Sequence, residues 1–536
     1  MKKATKMLAL LLSVMMIMSL VVACGQKEEP AASPSEPAKT SEPAKTTEPA
    51  KAEEPKTPAK DSLVVATTAD IYSMDPQLKK DVPSGRIKTL VFETLVDADV
   101  DANIVPGLAK SWEFKDDTTI VFTLNEGITF QNGDPVTFDD IVYSFKRGEE
   151  APQTSITMAP IDMDGFVDLG NNQFEMHLKY TSGSLMLGLT DNCCAIVPKA
   201  YIEEVGEEEF AQHPIGTGPY TFDKWVSGDR IELSRYDDYW GKKPYFKNIT
   251  FRVITEPANR AIELETGGVD IAIDVLASDI ERIEGNDKLT LYRAPNYSVT
   301  YMAFNESKKP LDDVRVRQAI TLSLDLPSIV DAVYNGTGNP GTGPLTPSVW
   351  GFNPNITTSQ QDVEKAKELL KEAGYENGLD ISVLTSDNQQ RMDFCEIAAN
   401  QMGQIGINCN VEIMEWGAYL DAIFEGKHEM TVLGFSYGAD PVTGFKSVFH
   451  SDSFGANGNI AWYSNPRVDE LIDASATEMD SAKRREMVEE IQQIIVDDAV
   501  WVNIWQGENL TGTIKDLKGY QLYPNSQDRL QDTYLD

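Results

Sequence analysis

Segments whose apolar residues recur at every second position alternate along this chain with segments whose apolar residues recur every three to four. That alternation restricts its fold more than any other feature. Ile120, Phe122 and Leu124 put apolar side chains on one face of an extended segment, as do Ile249, Phe251 and Val253, and again Ile407, Cys409, Val411 and Ile413, because successive strand residues point to opposite faces. Helical patterns lie between them. From Gln360 to Ala373 the residues Ala366, Leu369, Leu370 and Ala373 follow the i, i+3, i+4, i+7 spacing, with Ser359 as expected N-cap and Gly374 just past the end. Interleaved strands and helices predict an α/β architecture. With 536 residues, and roughly 100–200 residues per domain, the chain has room for about three folding units or two large lobes with insertions.

The N-terminus reads differently. Lys2, Lys3 and Lys6 precede an apolar run from Met7 to Ala23, the charged and apolar regions of an export signal. The run ends Leu20-Val21-Val22-Ala23-Cys24, which resembles a bacterial lipobox. Cleavage of residues 1–23 and acylation of Cys24 would hold the mature chain on the outer face of the cytoplasmic membrane. Residues 24–61 then form a tether, with SEPAKT at 35–40 and again at 41–46. Such a segment has nothing apolar to bury and is expected to stay extended and solvated.

Charge removes one class of partner. With 47 Lys and Arg against 84 Asp and Glu, the formal net charge is −37, a field that repels phosphate backbones; no nucleic-acid partner is expected. Catalytic and metal signatures are missing as well: the sequence contains no GxSxG, HExxH or Walker A pattern. The four histidines stand far apart, and the five cysteines offer no CxxC pair. Gly336-Thr337-Gly338-Asn339-Pro340-Gly341 satisfies GxGxxG by letter, but it follows an expected helix at 328–335 and carries a proline where a phosphate-binding helix would begin. Asp97, Asp99, Asp101 and Asn103 alternate like the start of a calcium loop, yet Ala102 replaces the glycine that loop requires. A non-enzymatic protein without cofactor or metal is the expectation. Cys193 and Cys194 are expected as buried thiols, while Cys395 and Cys409, on a helix and the next strand, leave a disulfide open.

A set of longer motifs carries a resemblance. PGLAKSWEF at 106–114, TIVFTLNEGITFQNGDPVTFDDIVYSFKR at 119–147, HPIGTGPYTFDKW at 213–225, DDYWGKKPYF at 237–246, KPLDDVRVRQAI at 309–320 and VEKAKELLKEAGYENG at 363–378 together resemble the bacterial extracellular solute-binding proteins of the peptide and nickel class (family 5), the capture components of ABC importers. Parts of this pattern also read directly. Gly216 and Gly218 permit a tight turn before Tyr220 and Phe222 resume a strand, and Asp312 and Asp313 suit a helix start. The resemblance implies a two-lobed periplasmic-binding-protein-like (class II) fold. Lobe I would comprise 62–296 plus 506–536, with an extra subdomain inserted at about 98–210, and lobe II 297–505. The chain would cross between lobes near Asn296–Tyr297 and Trp505–Gln506.

Ligand residues follow from the same resemblance. Members of the family place ligand-contacting tryptophans at two positions, here Trp416 and Phe435. Peptide binders hold the ligand's amino group with an aspartate four residues after the second aromatic; here Tyr437 is two on, Ala439 four on and Asp440 five on. Dipeptide binders hold the carboxylate with an arginine that falls near Thr385, and Arg391 is the nearest guanidinium. Recognition through aromatic contacts and Asp440, of an extended peptide whose C-terminus reaches solvent, is therefore expected. An oligosaccharide stacked on Trp416, a nickel chelate, a surface receptor without transport and a secreted hydrolase stay open. The expected partners are a short peptide, the transmembrane subunits of an ABC permease and, through the anchor, the membrane; the chain is expected to be a monomer.

Overall fold

A computed structural model describes residues 60–78, 81–151 and 154–535; the signal, Cys24 and most of the tether lie outside the described residues. The fold is mixed α/β, organised by two long antiparallel strands, Leu289–Phe304 and Trp501–Ile514. Their pairing runs from Leu289 opposite Ile514 to Pro295 opposite Glu508, breaks, and resumes from Val299 opposite Gln506 to Ala303 opposite Trp501. Three residues, Asn296, Tyr297 and Ser298, thus face Gly507 alone, a bulge that bends the pair and increases its twist.

Each half of this pair carries its own wing of one sheet. Beside Trp501–Ile514 lie, in order, Ile271–Ile273, Ser62–Thr67, Asn248–Val253, Arg230–Arg235 and Tyr220–Val226. Beside Leu289–Phe304 lie Met430–Ser436, Leu379–Ser386 and Ile407–Met414, the last at the edge. Both faces are covered in the inner strands of each wing. Leu63 and Val65 enter one core while Val64 and Ala66 face another, and Met302 with Phe304 and Tyr301 with Ala303 divide in the same way. Strands buried on both faces read as continuous apolar runs, which is why a period-two pattern does not mark SLVVAT or TYMAF. At the edge the pattern misleads in the other direction: Ile413 is 52% exposed.

A separate four-stranded antiparallel sheet has the order Ala109–Asp116, Thr119–Leu124, Gln173–Leu178, Ile161–Gly170. Its core holds the stacked rings of Phe122 and Phe174, 5.3 Å apart, together with Phe145. Phe145 lies on the helix Phe138–Glu150, which starts where it does because Thr137 and Asp140 close a capping box. Burying each such ring contributes roughly 1.5–3 kcal/mol.

Local expectations meet the structure unevenly. The helix predicted from Gln360 spans Val363–Glu372, capped by Asp362 and not Ser359, because Asp362 accepts from the amide of Lys365; Gly374 follows it at φ +91°, a left-handed backbone that favours glycine. Gly336 and Gly338 lie in the loop after the helix Leu326–Tyr334, and Asp99 to Asn103 close a hairpin turn between Val96–Ala98 and Ile104–Pro106. Gly216 and Gly218 are glycine for a reason other than turn geometry. Neither has a positive φ; both lie against the end of the helix Val82–Val91, where a Cβ on Gly216 would stand 2.0 Å from the Val91 carbonyl oxygen. The cysteines among the described residues are free thiols, and none of the described helices is long and apolar enough to cross a membrane.

Candidate functional site

A cavity of about 850 Å³ opens where the two long strands break register, within the range of small-ligand pockets. Asn296, Tyr297, Ser298 and Asn509 line its floor. One wall comes from the ends of the strand Met430–Ser436 and the helix Val442–Phe449; the other comes from residues 182–191 and the C-terminal stretch 523–529.

Register places the aromatic residues of the first wall. Phe435 pairs with Val299, the first residue past the break, and the Tyr437 amide donates to the Tyr297 carbonyl at 3.0 Å. Phe435 and Tyr437 meet edge to face at 4.8 Å, and Tyr437 meets Phe445 at 5.8 Å. Gly444 makes this packing feasible, since a Cβ there would lie 2.6 Å from Cδ1 of Tyr437. The Tyr437 hydroxyl is buried without a partner among the described residues, and that burial pushes its pKa well above the ordinary tyrosine value.

Asp440 lines the same wall but is already engaged. Its carboxylate receives Nη1 and Nη2 of Arg484 at 2.6 and 2.9 Å, and Oδ1 also accepts from the amide of Val442 at 3.0 Å. Arg484 is buried, with 4% of its side chain exposed; its Nε donates to the Ser475 carbonyl, and Trp350 lies 4.6 Å under its guanidinium. Asp440, expected to receive a ligand ammonium, is in this structure paired with a buried arginine.

Three other expected residues cluster outside the cavity wall. Trp416 opens the helix Trp416–Phe424 and is 44% exposed, stacked on Tyr419 at 5.7 Å. Arg391, in the first turn of the helix Gln389–Gly403, lies 5.5 Å over the Trp416 ring, a cation–π contact, and its Nη1 donates to Ser386 at 3.3 Å. Thr385, at the end of the strand Leu379–Ser386, is buried. Conversely, sequence reasoning named Asn296 only as a crossing between lobes and missed Asn509, the 182–191 segment and the 523–529 stretch. Polar, non-periodic residues such as Asn525-Ser526-Gln527 carry no local signal that they face a cavity.

A second cavity of about 390 Å³ shares Thr190 and Arg529 with the first. Its recessed carboxylate, Glu93, accepts from the Tyr239 hydroxyl at 2.6 Å and the Trp240 indole at 2.9 Å, which gives the YW of DDYWGKKPYF a structural role. Loss of solvent around Glu93 raises its pKa to about 7.

Residues 103–456 match the family model described as bacterial extracellular solute-binding proteins, family 5 Middle. The dipeptide-binding protein of Escherichia coli K12 is 28% identical over 453 residues, covering 78% of this chain and 84% of that relative. The periplasmic binding protein DppA of Helicobacter pylori, solved with the peptide STSA, superposes with a TM-score of 0.67 at 26% identity, covering 89% of this chain and 98% of that one. HbpA2 of Haemophilus parasuis superposes with a TM-score of 0.82 at 22% identity, covering 89% of this chain and 100% of that one, a likeness of fold.

Proposed function

This chain belongs to the bacterial extracellular solute-binding proteins of family 5, and we propose that it captures a short peptide between two lobes and delivers it to an ABC permease. One observation carries the reading: the large cavity is walled on one side by the end of the Met430–Ser436 wing, on the other by residues 182–191 and 523–529, and floored by the point where the long strands lose register. Two covered α/β halves joined there, 62–296 plus 506–536 with the 98–210 insertion, and 297–505, can rotate about Asn296–Ser298 and Gly507 as rigid bodies. A ligand touching both walls makes its full set of contacts only when the lobes are closed, so it shifts the population toward the closed form. Closure needs no titrating or covalent group. A relative that carries "dipeptide-binding" in its name and the peptide-bound DppA structure support peptide as the ligand class.

The two halves also touch beside the cavity at Gly183, whose amide donates to the Ala476 carbonyl at 3.0 Å; a Cβ at Gly183 would stand 2.4 Å from the Glu478 carbonyl oxygen. Gly183→Val is therefore expected to prop the cleft open. Saturating peptide should reduce the radius of gyration of the wild type in small-angle scattering and raise its stability by about 2.7 kcal/mol at a hundredfold excess over Kd. The variant should compact less and bind at least tenfold more weakly. A thermal screen in which nickel chelates or oligosaccharides stabilise the protein and peptides do not would overturn the ligand assignment.

Export and lipidation complete the proposal. Acylation of Cys24, with residues 24–61 as tether, keeps the binding body outside the cytoplasmic membrane and near its permease. In fractionated cells, Cys24→Ala should move from the membrane pellet to the medium or persist as an uncleaved precursor; a variant that sediments with the membranes in processed form would contradict lipid anchoring.

A further inference from the structure

We propose that Arg529 receives a carboxylate of the ligand, an inference that rests on the peptide-capture reading above. Among the described residues it is the one lysine or arginine lining the cleft. Two basic groups across the cleft lie off its lining: Arg484, whose Nη1 and Nη2 are both taken by Asp440, and Arg391, which lies over Trp416. A carboxylate taken into the closed cleft without a cation would be costly, and Thr385 stands where a dipeptide binder would supply one. The guanidinium comes instead from the other wall, on a segment that no motif marks.

Its geometry suits that task. Nη2 of Arg529 is paired with Asp97, and the Tyr523 ring lies 5.4 Å away, against the guanidinium. Arginine presents five donors in a planar fork that matches a carboxylate; Asp97 takes up Nη2, and Nε is buried. Asp97 fixes the plane, and Nη1 is the nitrogen offered to a ligand carboxylate. Hydrogen bonds tie down the segment that carries it. Asp528 accepts from the Tyr520 hydroxyl at 2.5 Å and the Tyr523 amide at 3.0 Å, and Asn509 donates to the carbonyls of Tyr523 and Pro524 at 3.0 and 3.3 Å. Asn509 also accepts from Asn296 at 3.2 Å, so the arginine is braced against the floor where the register breaks. A pre-set donor fork of this kind loses little freedom on binding.

The carboxylate can be the peptide's C-terminus or an acidic side chain, and three probes separate the sources: the tripeptide Ala-Glu-Ala, its C-terminal amide, and Ala-Gln-Ala. Calorimetric titration of the wild type should show a loss of at least tenfold for one of the two neutralised peptides. In R529Q the same change should cost less than threefold, the mark of direct coupling between the two groups. R529K keeps the charge and should retain part of the dependence; together with the thermal midpoint of each variant, it separates lost recognition from lost fold. Peptides that bind the wild type with no preference for a carboxylate, or that lose equally in wild type and R529Q, would overturn the role of Arg529 while leaving peptide capture intact. Binding of none of the three would instead strike the peptide reading, and this inference with it.

Discussion

Asp440→Ala should destabilise the folded protein by about 3–5 kcal/mol. The substitution leaves the Arg484 guanidinium buried without its counter-ion and removes the cap on the Val442 amide. The Ser475 carbonyl and the Trp350 ring still contact Arg484, but neither carries a compensating charge. Urea unfolding of the unliganded protein measures the loss. In the double variant Asp440→Ala with Arg484→Met most of it should return, because removing both members of a buried pair costs far less than removing one. The alternative, a carboxylate kept for a ligand's ammonium, predicts the reverse pattern: stability within about 1 kcal/mol of wild type and peptide affinity reduced at least tenfold. That pattern would refute the counter-ion role.

Gly216→Ala is expected to cost about 3 kcal/mol or more and to reduce the yield of folded protein, at the upper end of overpacking effects. A single methyl group would be forced to 2.0 Å from the Val91 carbonyl oxygen and 2.8 Å from a ring carbon of Phe92. Backbone atoms cannot rotate away as a flexible side chain can, so the loop itself must shift. That shift breaks bonds on both sides: Gly216 exchanges hydrogen bonds with Gln131, and Gly218 donates to Val91 at 2.9 Å. Gly403→Ala is the control. Gly403 ends the helix Gln389–Gly403, its φ is not positive, and a Cβ there meets nothing within 4 Å, so alanine should be neutral or stabilise by up to about 1 kcal/mol. Similar thermal midpoints for the two variants would show that the close approach at Gly216 carries no such cost.

Both results turn on contacts between segments far apart in the chain, and the same distinction separates what was legible in the sequence from what was not. Period-two runs at Ile120–Leu124 and Ile249–Val253, the helical spacing ending at Gly374, and the ordered motifs from PGLAKSWEF onward announced an α/β chain of this family, because side-chain periodicity and turn chemistry are properties of neighbouring residues. Even there the sequence signal weakened where burial was two-sided: Leu63 to Ala66 face two different cores and so show no alternation. The cleft was much less legible. Phe435 and Tyr437 line it, whereas Trp416, Arg391 and Thr385 gather beside it. The Asp440 carboxylate looked available until Arg484, 44 residues further on, was seen to hold it. Residues 182–191, 296–298, 435–447 and 523–529 become one cavity only through the pairing of Leu289–Phe304 with Trp501–Ile514. By itself the sequence determined which elements form and which family they build. Which polar groups face a ligand and which neutralise one another was decided by the tertiary structure, since charge pairing and desolvation depend on distances through space that local sequence does not encode.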